Sequence, residues 1–167
     1  MKKPAVASIA DDRPSTCLVV LGMHRSGTSA LTRIMNLLGV TLGERLMQAA
    51  TDNNETGFWE HQDVVDLHEA AFAHLGMSWD DPRPMPAGFA ERADIVDLAE
   101  QISGALRDDV GDAALWGVKD PRHCRTLPMW TRVFDALSAR PVFVIMVRNP
   151  LEVARSLERR DGIPANT

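Results

Sequence analysis

Gly22-Met23-His24-Arg25-Ser26-Gly27-Thr28-Ser29 follows the apolar run Leu18-Val19-Val20-Leu21 and precedes a helix-patterned stretch, Ala30 to Leu38. A buried strand, a Gly-bounded loop and a helix N-terminus are the parts of a phosphate cradle. Backbone N–H groups and the positive end of the helix dipole converge on one concavity. The spacing Gly22-x4-Gly27 is that of a Walker A loop, but Thr28 stands where that loop has its lysine. The positive charge comes earlier, at Arg25. The loop is therefore expected to hold a phosphate-like anion without the lysine that nucleoside-triphosphate enzymes place on the β- and γ-phosphates. That points to a phosphorylated donor other than ATP or GTP.

Outward from the loop, the chain alternates strand and helix patterns. Residues 1–15 read as a loose leader rather than a signal peptide, because Lys2 and Lys3 precede no long apolar core. Residues 16–167 read as one domain. A strand over 16–22 is followed by a helix over 28–38, with Leu31, Ile34, Met35 and Leu38 on one face and Gly39 to end it. Residues 40–61 are mixed and polar. A helix runs from Gln62 to Leu75, a proline-rich loop (Pro82, Pro84, Pro86) over 76–89, and a long amphipathic helix from Ala90 to Val110.

A strand over 115–118 leads into Lys119-Asp120-Pro121-Arg122. A helix over 127–137 is placed with Pro128 in its first turn. Pro141 to Val147 holds six consecutive apolar residues, which predicts a strand buried on both faces. Arg148-Asn149-Pro150 opens a last helix through Arg160. The alternation predicts a three-layer α/β sandwich around a mostly parallel sheet. Ligands of such sheets gather at the carboxyl ends of the strands. The Gly22 loop, Lys119 and Arg148 each follow a strand and are expected on one edge.

The 167 residues suit a single domain with a sizeable core. A net charge of −5 speaks against a general nucleic-acid surface while leaving room for a local basic pocket. Cys17 and Cys124 have no zinc-finger spacing, so no metal site and a reducing cytoplasm are expected. No run approaches the ~18 apolar residues of a membrane span.

Taken together these segments resemble the sulfotransferases, which move a sulfuryl group from 3′-phosphoadenosine 5′-phosphosulfate (PAPS) to a hydroxyl or amine. The resemblance covers about residues 16–163 and rests on GMHRSGTSAL, GFWEH, WGVKDPR and RNPLEVARSL in the order of a bacterial group of that family. It implies a sulfotransferase variant of the P-loop fold. It also implies that His24, Arg25, Ser26, Gly27, Thr28 and Ser29 form the 5′-phosphosulfate motif. Arg148, with Ser156 eight residues on, would form the 3′-phosphate motif. Lys119 would stand near the bridging oxygen of the donor. Members of the family usually continue past the second phosphate motif, so the chain is expected to be C-terminally shortened.

Sulfuryl transfer builds negative charge on the departing phosphate, which preformed N–H donors and cations stabilise. No metal is required for that. An acceptor hydroxyl needs a base, and the acidic cluster offers Glu60 first, then Glu55, which lies in a Glu-x-x-aromatic-aromatic segment, then His61. Plainer roles stand beside these. Glu60 and His61 could cap the helix at Gln62, Asp120 could pair with Arg122, and His68 and His74 sit at helical spacing as structural residues. Arg155, Arg159 and Arg160 read as a solvated face. The leading expectation is an enzyme acting on a small-molecule, glycan or lipid acceptor. The alternatives are a non-catalytic module for a nucleotide or other phosphorylated ligand and a P-loop nucleotide kinase, the latter disfavoured by Thr28.

Overall fold

The computed structural model describes residues 14–50, 54 and 57–164. Three strands, β1 (Ser15–Leu21), β2 (Leu115–Lys119) and β3 (Ala139–Ile145), form a parallel sheet in the order β2-β1-β3. Five helices connect or flank them: α1 (Thr28–Leu37), α2 (Gln62–His74), α3 (Ala93–Val110), α4 (His123–Ala136) and α5 (Pro150–Asp161). The register aligns Val20 with both Lys119 and Val144, so all three strands run out at the same edge. The chain is thus an α/β protein with a parallel sheet flanked by helices.

Alternation along β1 divides the interior. Cys17 and Val19 join the larger apolar cluster, built with Ile95, Ile102 and Leu106 of α3 and Met129, Trp130 and Val133 of α4. Val20 belongs to a smaller cluster with Met35, Val40 and Leu42. The α3 stripe Ile95, Leu98, Ile102 and Leu106 is buried as its 3.6-residue period requires. No helix among the described residues is long and apolar enough to cross a membrane.

Three expectations are corrected. Helix α1 buries Thr28, Thr32 and Met35, while Ile34 and Leu38 are exposed; Thr32 reaches its burial by donating its hydroxyl to the Thr28 carbonyl at 2.8 Å. Helix α4 starts four residues earlier than expected, leaving Pro128 inside it. Its start is set by Asp120, which accepts from the backbone N–H of Arg122 through its carboxylate and of His123 through its carbonyl, at 2.9 and 3.0 Å. Strand β3 is an edge strand rather than one buried on both faces. Phe143 touches Phe134 of α4, ring centroids 6.3 Å apart, but Ile145 and Val147 are 67% and 85% exposed. Met146 N–H donates to Leu21 O, so Pro141 falls at a position whose amide faces away from β1. An edge strand tolerates proline there because no ladder hydrogen bond is lost.

Candidate functional site

A cleft of about 530 Å³ opens at the carboxyl ends of the strands. The loop between β1 and α1 forms one wall. Ser26 ties the loop to itself, its N–H and hydroxyl both donating to Met23 O at 3.1 and 2.6 Å. Gly22 is required by close packing: a Cβ there would stand 2.8 Å from Ser26 Oγ and 2.9 Å from Met146 O. Arg25 and Gly27 take left-handed backbone conformations, φ 65° and 94°. The first helical bond of α1 runs from Leu31 N–H to Gly27 O, and Gly27 caps the helix without a side chain. The amides of Gly27, Thr28, Ser29 and Ala30 consequently donate to nothing among the described residues. Gly27, Thr28 and Ser29 line the cleft. Unpaired amides at a helix N-terminus, with the dipole behind them, form an anion-binding surface.

Helix α5 meets this loop from the other side. Asn149 caps it by accepting from Leu151 N–H at 3.0 Å, with Pro150 in the first turn. Arg25 Nε donates to Ser156 Oγ at 2.9 Å, and Arg148 Nη1 donates to Arg25 O at 3.0 Å. Arg148 also pairs with Glu152, one turn into α5. The two segments that the sequence marked as anion-binding, 123 to 131 residues apart, thus interlock. Arg25 and Arg148 line the cleft. Ser156 is buried behind Arg25, and Ser26 is buried within the loop.

Lys119, at the end of β2, is 2% exposed. Its ammonium donates to Ser29 Oγ at 3.1 Å, to Phe58 O at 3.0 Å and to the Glu60 carboxylate. Both Phe58 and Glu60 reach it because Trp59 between them is left-handed, φ 59°. The Arg33 guanidinium packs over the Trp59 ring at 4.6 Å. Burial pushes the Glu60 carboxyl above its ordinary value, with Lys119 and Arg122 opposing.

Arg122 stands beside this pair, Nη1 3.8 Å from the second Glu60 oxygen. It is held by Asp120 at 3.0 Å and by Glu69 at 2.5 Å. Asp120 is fully buried and also bonds His68 Nδ1 at 2.8 Å. Trp130 donates its indole N–H to His68 Nε2 at 2.8 Å. An indole can only donate, so Nε2 is an acceptor and the His68 proton sits on Nδ1, facing Asp120. Burial would raise the Asp120 carboxyl, but the bond from His68 and the Arg122 charge outweigh it and hold it well below the carboxylate range.

The remaining sequence candidates fall as follows. His24 lines the cleft with its ring 4.4 Å from Trp79, and burial followed by the Arg122 and Arg160 charges lowers it to about 4. His61 turns away from the cleft, its Nε2 3.1 Å from Asp109 of α3, whose carboxylate also accepts from the amides of Glu44 and Arg45. His61 takes the N-cap position of α2, its carbonyl accepting from Val65 N–H at 3.1 Å, but its side chain makes no capping hydrogen bond. Glu55 lies outside the described residues. Arg160, read as part of a solvated face, lines the cleft and lies 5.9 Å from the Trp79 ring. No cluster of three metal-ligating side chains occurs among the described residues. Sequence reading assigns no place in the site to Arg122, Arg160 or the Phe58 carbonyl. Arg122 had a signal, as a cation in the turn directly after a strand.

No family model, no curated protein and no solved structure matches the chain.

Proposed function

We propose that the protein is a PAPS-dependent sulfotransferase of P-loop-like fold, acting on an acceptor hydroxyl or amine. The observation that carries this reading is the interlock of the Arg25 loop with Arg148 and Ser156, beside a buried Lys119 at the head of α1. Free amides of residues 27–30 and the Arg25 side chain suit the 5′-phosphosulfate, and Arg148 suits a second phosphate on the same nucleotide. The absence of lysine at position 28 favours this donor over a nucleoside triphosphate. The cations and amides already in the cleft supply charge stabilisation, so the mechanism calls on no metal.

In the reaction, the acceptor oxygen or nitrogen attacks sulfur and a new bond to sulfur forms. The bond between sulfur and the bridging oxygen breaks, and its electron pair stays on the 5′-phosphate. The acceptor proton passes to Glu60, the base in this reading, leaving a carboxylic acid that later releases the proton to water. Lys119 faces the bridging oxygen as charge grows there. At rest Lys119 is held by Glu60, so engaging the donor draws the ammonium away and leaves the carboxylate free to accept a proton. Burial then favours its protonated form.

The acceptor is a small molecule, a glycan or a lipid, and nucleic acid is not part of the reading. A cytoplasmic setting belongs to the same proposal, with Cys17 and Cys124 as free thiols. Transfer of label from ³⁵S-labelled donor to members of an acceptor panel tests it. Label in a sulfated product supports the reading, and donor binding without any product would favour a binding module instead.

A further inference from the structure

A fully buried carboxylate and imidazole are costly, and a well-packed apolar core is often more stable than a buried polar network. The network here has a direction. Trp130 N–H fixes His68, His68 Nδ1–H fixes one oxygen of Asp120, and the other oxygen of Asp120 accepts from Arg122 Nη1 and from the Arg122 backbone amide. Trp130, His68 and Asp120 are each 0% exposed, whereas Arg122 reaches the cleft. Glu69 grips Nε from the opposite side. Its Nη2 donates to nothing among the described residues. The core therefore ends in one preset guanidinium at the cleft wall.

The place where that guanidinium stands is informative. Lys119 contacts one oxygen of the Glu60 carboxylate, and Arg122 lies 3.8 Å from the other. Two cations that straddle one carboxylate are spaced to straddle two adjacent oxygens of a tetrahedral anion. We propose that Arg122 is a catalytic residue, binding a non-bridging oxygen of the transferring sulfuryl group while Lys119 faces the bridging oxygen, with Asp120 and His68 as its positioning residues. This rests on the sulfotransferase reading. The charged and titratable groups facing the pair are Glu60, Asp120, Glu69 and, across the cleft, His24. The guanidinium makes and breaks no covalent bond. Its Nη2 hydrogen bond neutralises the sulfuryl charge against the incoming acceptor and holds the sulfur in line for attack, while the charge released by the breaking bond falls to Lys119.

The test uses the full chain and two readouts, adenosine 3′,5′-bisphosphate affinity and the rate of acceptor-free PAPS hydrolysis. The bisphosphate lacks the sulfuryl group, so Arg122→Gln should leave its affinity within about twofold of wild type. Donor hydrolysis should fall on the order of a hundredfold, the scale for one preorganised charge-stabilising donor. Arg122→Lys, which keeps charge and loses the fork, should recover only part of the rate. Asp120→Asn should reproduce the split, a lost rate with unchanged bisphosphate affinity, which a merely structural role would not give. If Arg122→Gln folds, binds bisphosphate and hydrolyses PAPS at the wild-type rate, Arg122 has no such role. If Arg122→Gln unfolds, a wild-type rate in Arg122→Lys overturns the forked contact. Failure of the wild-type chain to bind the bisphosphate or to hydrolyse PAPS would sink the sulfotransferase reading itself, and this inference with it.

Discussion

Arg25 and Ser156, 131 residues apart, are joined by a 2.9 Å hydrogen bond from Nε to Oγ. Ser156 is buried and Arg25 lines the cleft, so in the proposed reading the serine acts through the arginine. Ser156→Ala should weaken AMP and adenosine 3′,5′-bisphosphate alike. A hydrogen bond donated by a charged guanidinium, ~1.5–3 kcal/mol, sets the loss at about tenfold to a hundredfold. Calorimetric titration of both nucleotides checks this. A loss confined to the bisphosphate would instead put Ser156 on the 3′-phosphate directly.

Gly27 lines the cleft at φ 94°, and its nearest foreign atom for an added Cβ is Met146 Cε at 3.6 Å. Gly27→Val should abolish nucleotide binding by filling the concavity and straining the cap. The fold should survive with a loss of ~1–3 kcal/mol, the range for a residue held in an unfavourable backbone region. Denaturant unfolding alongside titration separates the two effects. Undiminished binding by Gly27→Val would remove the loop from the site.

Lys119 and Glu60 form a buried pair, so the two substitutions should differ. Lys119→Ala leaves a buried carboxylate without its closest cation and should cost ~3–5 kcal/mol of stability. It should also cut turnover a hundredfold to a thousandfold, ~2.7–4 kcal/mol of barrier. Glu60→Gln keeps the shape and should spare nucleotide affinity while removing turnover at neutral pH. Full activity in Glu60→Gln would move the base elsewhere, with Glu55 the first place to look.

His123 is fully buried, and burial lowers it to about 3. Unfolded, a histidine takes its proton near pH 6.5. Between about pH 6.5 and 3 the unfolded chain therefore binds one proton more than the folded chain at this residue. Its contribution to stability is complete above pH 6.5 and lost as the pH falls. The slope is about 1.4 kcal/mol per pH unit. His24, lowered to about 4, adds in the same direction over a narrower window. Urea unfolding at a series of pH values should show this slope, and His123→Gln should make it shallower by about one proton. An unchanged slope would mean that His123 is charged in the folded protein.

Much of this was legible because it is local. The Gly22–Ser29 loop, the α3 stripe and the Asn149-Pro150 start are written in adjacent residues or at helical spacing, and those periods translate directly into burial. The failures have physical causes too. The leucines and isoleucine of α1 mark an apolar face in sequence, but Thr28 and Thr32 lie against the interior, the Thr32 hydroxyl finding its partner in the Thr28 carbonyl. The β3 run satisfies the criterion for a buried strand, while its edge position depends on what packs beside it. The Asp120–Arg122 pair is readable from adjacent residues, but what fixes it at the cleft is not: that comes from His68 and Trp130, 62 residues apart in sequence and 2.8 Å apart in space. Lys119 and Glu60 were each nominated alone; that they hold one another is a property of the fold.

On the proposed function, this cleft recognises a nucleotide carrying both a 5′- and a 3′-phosphate. Titration of wild-type protein and Arg148→Ala with adenosine 3′,5′-bisphosphate, AMP and ATP with Mg²⁺ tests it most directly. Wild type should bind the bisphosphate best. Arg148→Ala should lose about tenfold to a hundredfold on it, ~1.5–3 kcal/mol for a charge-assisted contact, with little change for AMP. Tightest binding of ATP with Mg²⁺, or equal losses on bisphosphate and AMP in Arg148→Ala, would contradict the account.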